Sequence, residues 1–168
     1  ASYTGTQLTN DTVESGVVKA SVGFTNEVVA SSVKVGDKVT VNFKADGVTS
    51  IKGIQIKLPV NTTYFDCSKA DVTIASKLKD ADGSSTSTNF SAKGTAIAVW
   101  SNATPVEITA DDILATVVLT VKAELPSDIK MSVLTDDSMI TAGDDASYTS
   151  DTIFADDVVV SATPATTY

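Results

Sequence analysis

DDILATVVLTV, residues 111–121, running on into KAELP, residues 122–126, decides how this chain folds. On an extended backbone Ala115, Val117, Leu119 and Val121 share one face, and Thr116, Val118, Thr120 and Lys122 share the other. Strand side chains alternate between faces, so this period of two marks a strand with one side in a core and one side left over.

The same alternation recurs on both sides of it. Val18, Ala20, Val22 and Phe24 alternate with Lys19, Ser21 and Gly23, and beyond Gly36 and Asp37 the residues Val39, Val41 and Phe43 alternate with polar neighbours. Asp46 and Gly47 then spell a turn, because glycine takes positive φ at little cost and aspartate can bond its own backbone. IKGIQIKL, residues 51–58, is the next strand, and further strands are predicted over 72–75, 89–93, 95–101, 113–121, 129–134 and 154–161. No helical stripe interrupts them. Short strands between turns give an all-β chain whose apolar faces are best buried in a β-sandwich. Residues 76–88, SKLKDADGSSTST, have the composition of an exposed loop. SATPATTY, residues 161–168, reads as the start of a Thr/Pro linker, which leaves residues 1–160 as a single domain without internal repeats.

Composition removes several functions. A length of 168 residues, 42% hydrophobic, suits one substantial core. The chain has no histidine, the commonest general base and metal ligand, and its one cysteine can form no internal disulfide. A net charge of -9, from 21 acidic and 12 basic residues, repels phosphate backbones and anionic lipid, so neither nucleic acid nor membrane is an expected partner. No apolar run approaches the roughly 20 residues that span a bilayer. The polar start, residues 1–16, is unlike a signal peptide, so an exported protein would have its signal removed or in a longer parent chain.

Taken in order, these strands resemble those of the cohesin modules of bacterial scaffoldins. VGDKVTVNF (35–43) matches an early GD-x-V-x-V strand, and it is followed by IKGIQIKLPVNTTYF (51–65), TAIAVW (95–100), DDILATVV (111–118), VKAELP (121–126) and the closing FADDVVV (154–160). The likeness spans roughly residues 33–160, with departures at Asp112 and Asp157, where the family has glycine, and in the segment 76–88. It implies a divergent cohesin: a β-sandwich of jelly-roll topology with about nine strands and a sheet face that binds a calcium-loaded dockerin. It also implies a secreted or cell-surface position within a larger multimodular protein of a polysaccharide-degrading complex, with no catalytic residue, cofactor or metal.

Parity places that face. With Ile54, Ile56 and Leu58 inward, Gly53, Gln55 and Lys57 point out; with Ala96, Ala98 and Trp100 inward, as the resemblance implies, Ile97, Val99 and Ser101 point out, with Asn102 at the strand end. Thr116, Val118 and Phe90 are expected to extend the same patch. Two exposed aliphatics gain nothing in water, whereas covering each with a partner contributes about 1.5 to 3 kcal/mol.

Other readings stand beside this one. A carbohydrate-binding module shares the sandwich but stacks sugars on exposed aromatics, and aromatics are 6% of this chain, with Trp100 expected inside. An adhesin-like surface domain is a third reading. The doublets Asp111-Asp112, Asp136-Asp137, Asp144-Asp145 and Asp156-Asp157 point to opposite faces where they enter strands, which suits solubility better than a shared proton. Asp80 and Asp82 begin like a calcium loop, but Ser85 and Ser91 stand where such a loop needs glycine and glutamate. The sequons at Asn61 and Asn102 decide nothing, and no spaced carboxylate pair suggests glycoside hydrolysis.

Overall fold

Residues 113–121 form a strand with the expected parity: Ala115, Val117, Leu119 and Val121 are at most 2% exposed, and Thr116, Val118 and Thr120 are half-buried on the other face. The computed structural model describes residues 23–30, 33–46, 49–109, 112–134, 137–143, 147–149 and 157–162. Twelve strands occur among them: β1 (Gly23–Val29), β2 (Lys38–Asp46), β3 (Ser50–Pro59), β4 (Phe65–Asp66), β5 (Val72–Ile74), β6 (Ser85–Phe90), β7 (Thr95–Glu107), β8 (Ile113–Val121), β9 (Ile129–Met131), β10 (Met139–Ala142), β11 (Ser147–Thr149) and β12 (Val158–Val160). The excess over the nine expected comes from short pieces of two to four residues, β4, β10 and β11.

The strands form two five-stranded sheets and a ribbon. One sheet has the order β1-β2-β8-β4, with β5 also pairing along β8; the other has the order β11-β10-β3-β7-β6; β9 pairs β12. Every pairing is antiparallel. The sheets meet through Val39, Val41, Phe43, Leu114, Val117 and Leu119 on one side and Ile51, Ile54, Ile56, Leu58, Ala96, Ala98 and Trp100 on the other, all at most 2% exposed. Small and large residues alternate across the β3–β7 pair, where Ala96 lies opposite Leu58 and Ala98 opposite Ile56, so the layer fills without overpacking. Burying each aliphatic side chain of β8 contributes about 1.5 to 3 kcal/mol.

The chain departs from its sequence reading at several places. The loop expected over 76–88 holds a four-residue helix, α1 (Ser76–Lys79), and most of β6. Leu78 is the reason for the helix: it is 0% exposed and plugs the core. The strand expected at 89–93 runs earlier and stops at Phe90, because residues 91–94 make the hairpin turn to β7. There Gly94 N donates to Ser91 O at 2.9 Å and Gly94 adopts φ 90°. The strand predicted from residue 129 ends at Met131, short of residue 134, whose backbone N donates to Lys57 O at 2.9 Å. β4, β10 and β11 had no counterpart in the sequence reading.

Of the first predicted strand, residues 18–22 lie outside the described residues, and the strand seen there, β1, begins at Gly23. Gly47, residues 154–156 and 163–168, and Asp111, Asp136, Asp144, Asp145 and Asp156 also lie outside them. Ala162 N donates to Asp128 Oδ1 at 3.0 Å, so the chain is still tied to the domain there.

Candidate docking face

The register of the β10-β3-β7-β6 sheet arranges its outward side chains in rows. Ser87, Val99, Gln55 and Met139 form one; Ser85, Ser101, Gly53 and Thr141 form the next; Asn89, Ile97 and Lys57 form the third. Ser85, Ser87, Asn89 and Ser101 are exposed, and Gln55, Lys57, Ile97, Val99, Met139 and Thr141 are half-buried. Gly53 leaves a shallow place in the middle, since a Cβ there would sit 3.7 Å from the Thr141 side chain and 3.4 Å from Trp100 O. Leu134, 38% exposed, borders the Lys57 end. Gln55 is held upright: its Nε2 donates to Asp137 O at 2.6 Å, while Ser138 Oγ accepts Lys57 N at 3.0 Å.

Six of the residues expected on the face are therefore together: Gly53, Gln55, Lys57, Ile97, Val99 and Ser101. The other four are not. Phe90 pairs with the buried Ala96 and packs against the core, so the outward residue of that strand is Asn89. Asn102, 8% exposed, continues the inward parity of Trp100; its Nδ2 donates to Asp82 O at 3.0 Å and its Oδ1 accepts Thr104 N at 3.3 Å. It holds the 80–84 turn to β7 instead of facing a partner. Thr116 and Val118 do point outward, but from β8, in the opposite sheet. Parity shows that a strand has a free face and not which sheet it joins. Ser85, Ser87, Asn89, Met139 and Thr141 were missed, and a hairpin register for residues 91–94 would have found the first three.

The two outer faces differ in how their polar groups are spent. On the β1-β2-β8 face Thr116 Oγ1 donates to Asn42 Oδ1 at 2.9 Å, Asn42 Nδ2 donates to Glu27 Oε1 at 3.2 Å, and Lys44 lies 3.4 Å from the same oxygen. The hydrogen bond from Asn42 and the charge of Lys44 hold the Glu27 carboxyl below its ordinary pKa. Lys38 Nζ donates to Thr120 Oγ1 at 2.8 Å, and Lys122 lies 3.7 Å from Asp66. That face bonds to itself. Across the rows of the docking face, Gln55 is the only described side chain with a hydrogen bond, and its acceptor is backbone.

The remaining polar features are structural. Asp112 Oδ2 accepts Lys77 Nζ at 2.7 Å and Thr109 N at 2.8 Å, which lowers its pKa. Asp157 accepts Ser132 Oγ at 2.5 Å. Among the described residues no group of three His, Cys, Asp or Glu is placed to hold a metal, and no helix is long and apolar enough to cross a membrane. An open cleft of about 440 Å³ at the far end of β3 has one acid, Glu107, among the described residues of its wall.

Two packed antiparallel sheets define the class of β-sandwich domains. The model of the cohesin domain family matches residues 24–161, and the chain belongs to that family, one of non-catalytic interaction modules. Its fold is accordingly the jelly-roll β-sandwich of its structural neighbours. It is similar to the cohesin module of a family 33 glycoside hydrolase from Clostridium perfringens, at a TM-score of 0.62 and 17% identity over 83% of this chain and 95% of that one. It is also similar to CaCohA2 from Clostridium acetobutylicum, at a TM-score of 0.60 and 21% identity over 75% and 83% of the two chains. The sixth cohesin of scaffoldin B from Acetivibrio cellulolyticus, solved in complex with a Cel5 dockerin, matches at a TM-score of 0.58 and 15% identity over 76% and 92%. No curated protein sequence matches.

Proposed function

We propose that this chain is a non-catalytic module that binds a dockerin through the outer face of the β10-β3-β7-β6 sheet. The observation that carries the reading is the contrast between the two faces: side chains on one are bonded to each other, and on the other they are left for a partner. Ile97 and Val99 sit at the centre of that second face, ringed by hydroxyl and amide groups, the arrangement of an apolar interface core with a polar rim. One sheet face of a domain this size is large enough for a specific interface of about 1,600 Å² in total. The cohesin of Acetivibrio cellulolyticus was solved with a dockerin bound, which supports the same class of partner here.

The wider setting follows as part of the proposal. The module serves in an extracellular multimodular protein, joining an enzyme or a scaffold protein to a polysaccharide-degrading assembly, and does no chemistry itself. Sugar binding fits less well, because Trp100 is 1% exposed and no row of the face holds an aromatic side chain. The deciding experiment is a pull-down against a panel of dockerins with and without calcium, run beside binding to insoluble polysaccharides. Calcium-dependent capture of a dockerin is expected; capture by polysaccharide and by no dockerin would overturn the reading.

A further inference from the structure

The rows of the docking face hold one charged side chain, Lys57, and no carboxylate, in a chain whose net charge is -9. Lys57 is half-buried and takes part in none of the ion pairs among the described residues. Lys52, at the bulge beyond Gly53, is already engaged. Across the strands Lys57 is paired with Ile97, and on its other side the backbone N of Leu134 donates to Lys57 O at 2.9 Å, so two aliphatic residues flank it. The exposed Lys93, in the hairpin turn at that end of the sheet, adds a second positive charge.

What covers this place meets a definite electrostatic requirement. The long-range field of an acidic chain draws cations, but at physiological salt it is screened over about 8 Å, and within that distance the local lysines decide. A neutral apolar surface pressed onto Lys57 would strip its water and return nothing, and a basic one would add repulsion. A carboxylate restores the lost solvation through charge-assisted hydrogen bonds.

We propose that the surface seated here presents a carboxylate over Lys57, set among aliphatic side chains that cover Ile97 and Val99, with no basic residue at that point. Lys57 is then the residue that selects among partners, and Gly53 gives room for the partner to approach. This rests on the docking reading above and specifies its partner.

The test is titration calorimetry of the whole chain against each calcium-loaded dockerin of the panel, followed by variants with the tightest binder. Lys57→Gln should weaken binding about tenfold and Lys57→Glu about a hundredfold, with Lys57→Arg close to the parent, as one desolvated charge contact predicts. Raising salt from about 0.05 to about 0.5 M should weaken the parent severalfold and Lys57→Gln little, because the screened pair is then absent. Unchanged thermal transitions show that the variants remain folded. Affinity that ignores Lys57→Gln and Lys57→Glu overturns this inference and leaves the docking reading standing. Binding to no dockerin overturns both.

Discussion

Trp100 Nε1 donates a hydrogen bond of 2.9 Å to the carbonyl oxygen of Leu78. The two residues are 1% and 0% exposed, so this bond lies inside the core and ties the four-residue helix α1 to β7. A helix that short has no stability of its own. Trp100→Phe keeps most of the apolar surface but removes this bond, leaving Leu78 O with the Ala81 N–H at 3.2 Å, at a cost of about 0.5 to 1.5 kcal/mol. For a chain of this size that corresponds to roughly 2 to 4 °C of melting temperature per kcal/mol. Urea and thermal unfolding should show the loss while dockerin affinity stays put, because Trp100 faces inward; an unchanged midpoint would deny the bond any role.

Val99 and Val118 are chemically matched probes, both half-buried and outward, one on each sheet. Val99→Asp should remove about 2 kcal/mol or more of dockerin binding, at least about thirtyfold in Kd, while Val118→Asp leaves it unchanged. Melting curves for both should shift by a similar few degrees. Loss of binding in Val118→Asp alone would move the docking surface to the β1-β2-β8 sheet.

The fold was legible wherever a strand is wet on one side and dry on the other, and the outward side chains of the candidate face only where parity sufficed. β3, β7 and β8 carry that alternation, and their inward and outward residues follow from it. β6 does not: STSTNF is an edge strand whose buried face contributes little, so its hydroxyl-rich composition imitates a loop. Asn102 follows the inward parity of Trp100, yet an amide beside a strand end looks like a surface group until Asp82 O and Thr104 N are found against it. Phe90 failed on the hairpin register, which pairs it with the inward Ala96, and Thr116 and Val118 failed for a different reason. Which strands become neighbours depends on pairings across many residues, such as Val118 with Thr40, and no local pattern encodes them.

Cys67 should be a slow thiol. Its half-buried position, then the charge of Asp71, push its pKa up from the ordinary 9.0 to about 11, outweighing a backbone hydrogen bond with Ser68 that lowers it. The thiolate is the reactive form, so alkylation of the folded chain near pH 8 should be well over tenfold slower than that of the unfolded chain. The raised pKa favours the protonated form in the folded state. Its contribution to stability is therefore complete below the unfolded pKa near 9 and lost as pH rises through about 11. Iodoacetamide kinetics against pH, with and without denaturant, check this; equal rates at pH 8 would remove the effect of burial.

Gly94 closes the β6–β7 hairpin with φ 90°, a conformation other residues adopt only under strain. A Cβ at that position would also come 2.9 Å from Thr62 Cγ2, in the segment that Val60 N fastens to Gly94 O at 2.8 Å. Gly94→Ala should destabilise the chain by about 1 to 3 kcal/mol, part from backbone strain and part from the clash. The two parts separate in a double-mutant cycle. Thr62→Ala removes the offending methyl, so in the Gly94→Ala background it should return the steric share and leave the backbone share. Denaturant midpoints of the four proteins measure it: strict additivity would mean that Thr62 yields freely and that φ alone makes glycine necessary at this turn.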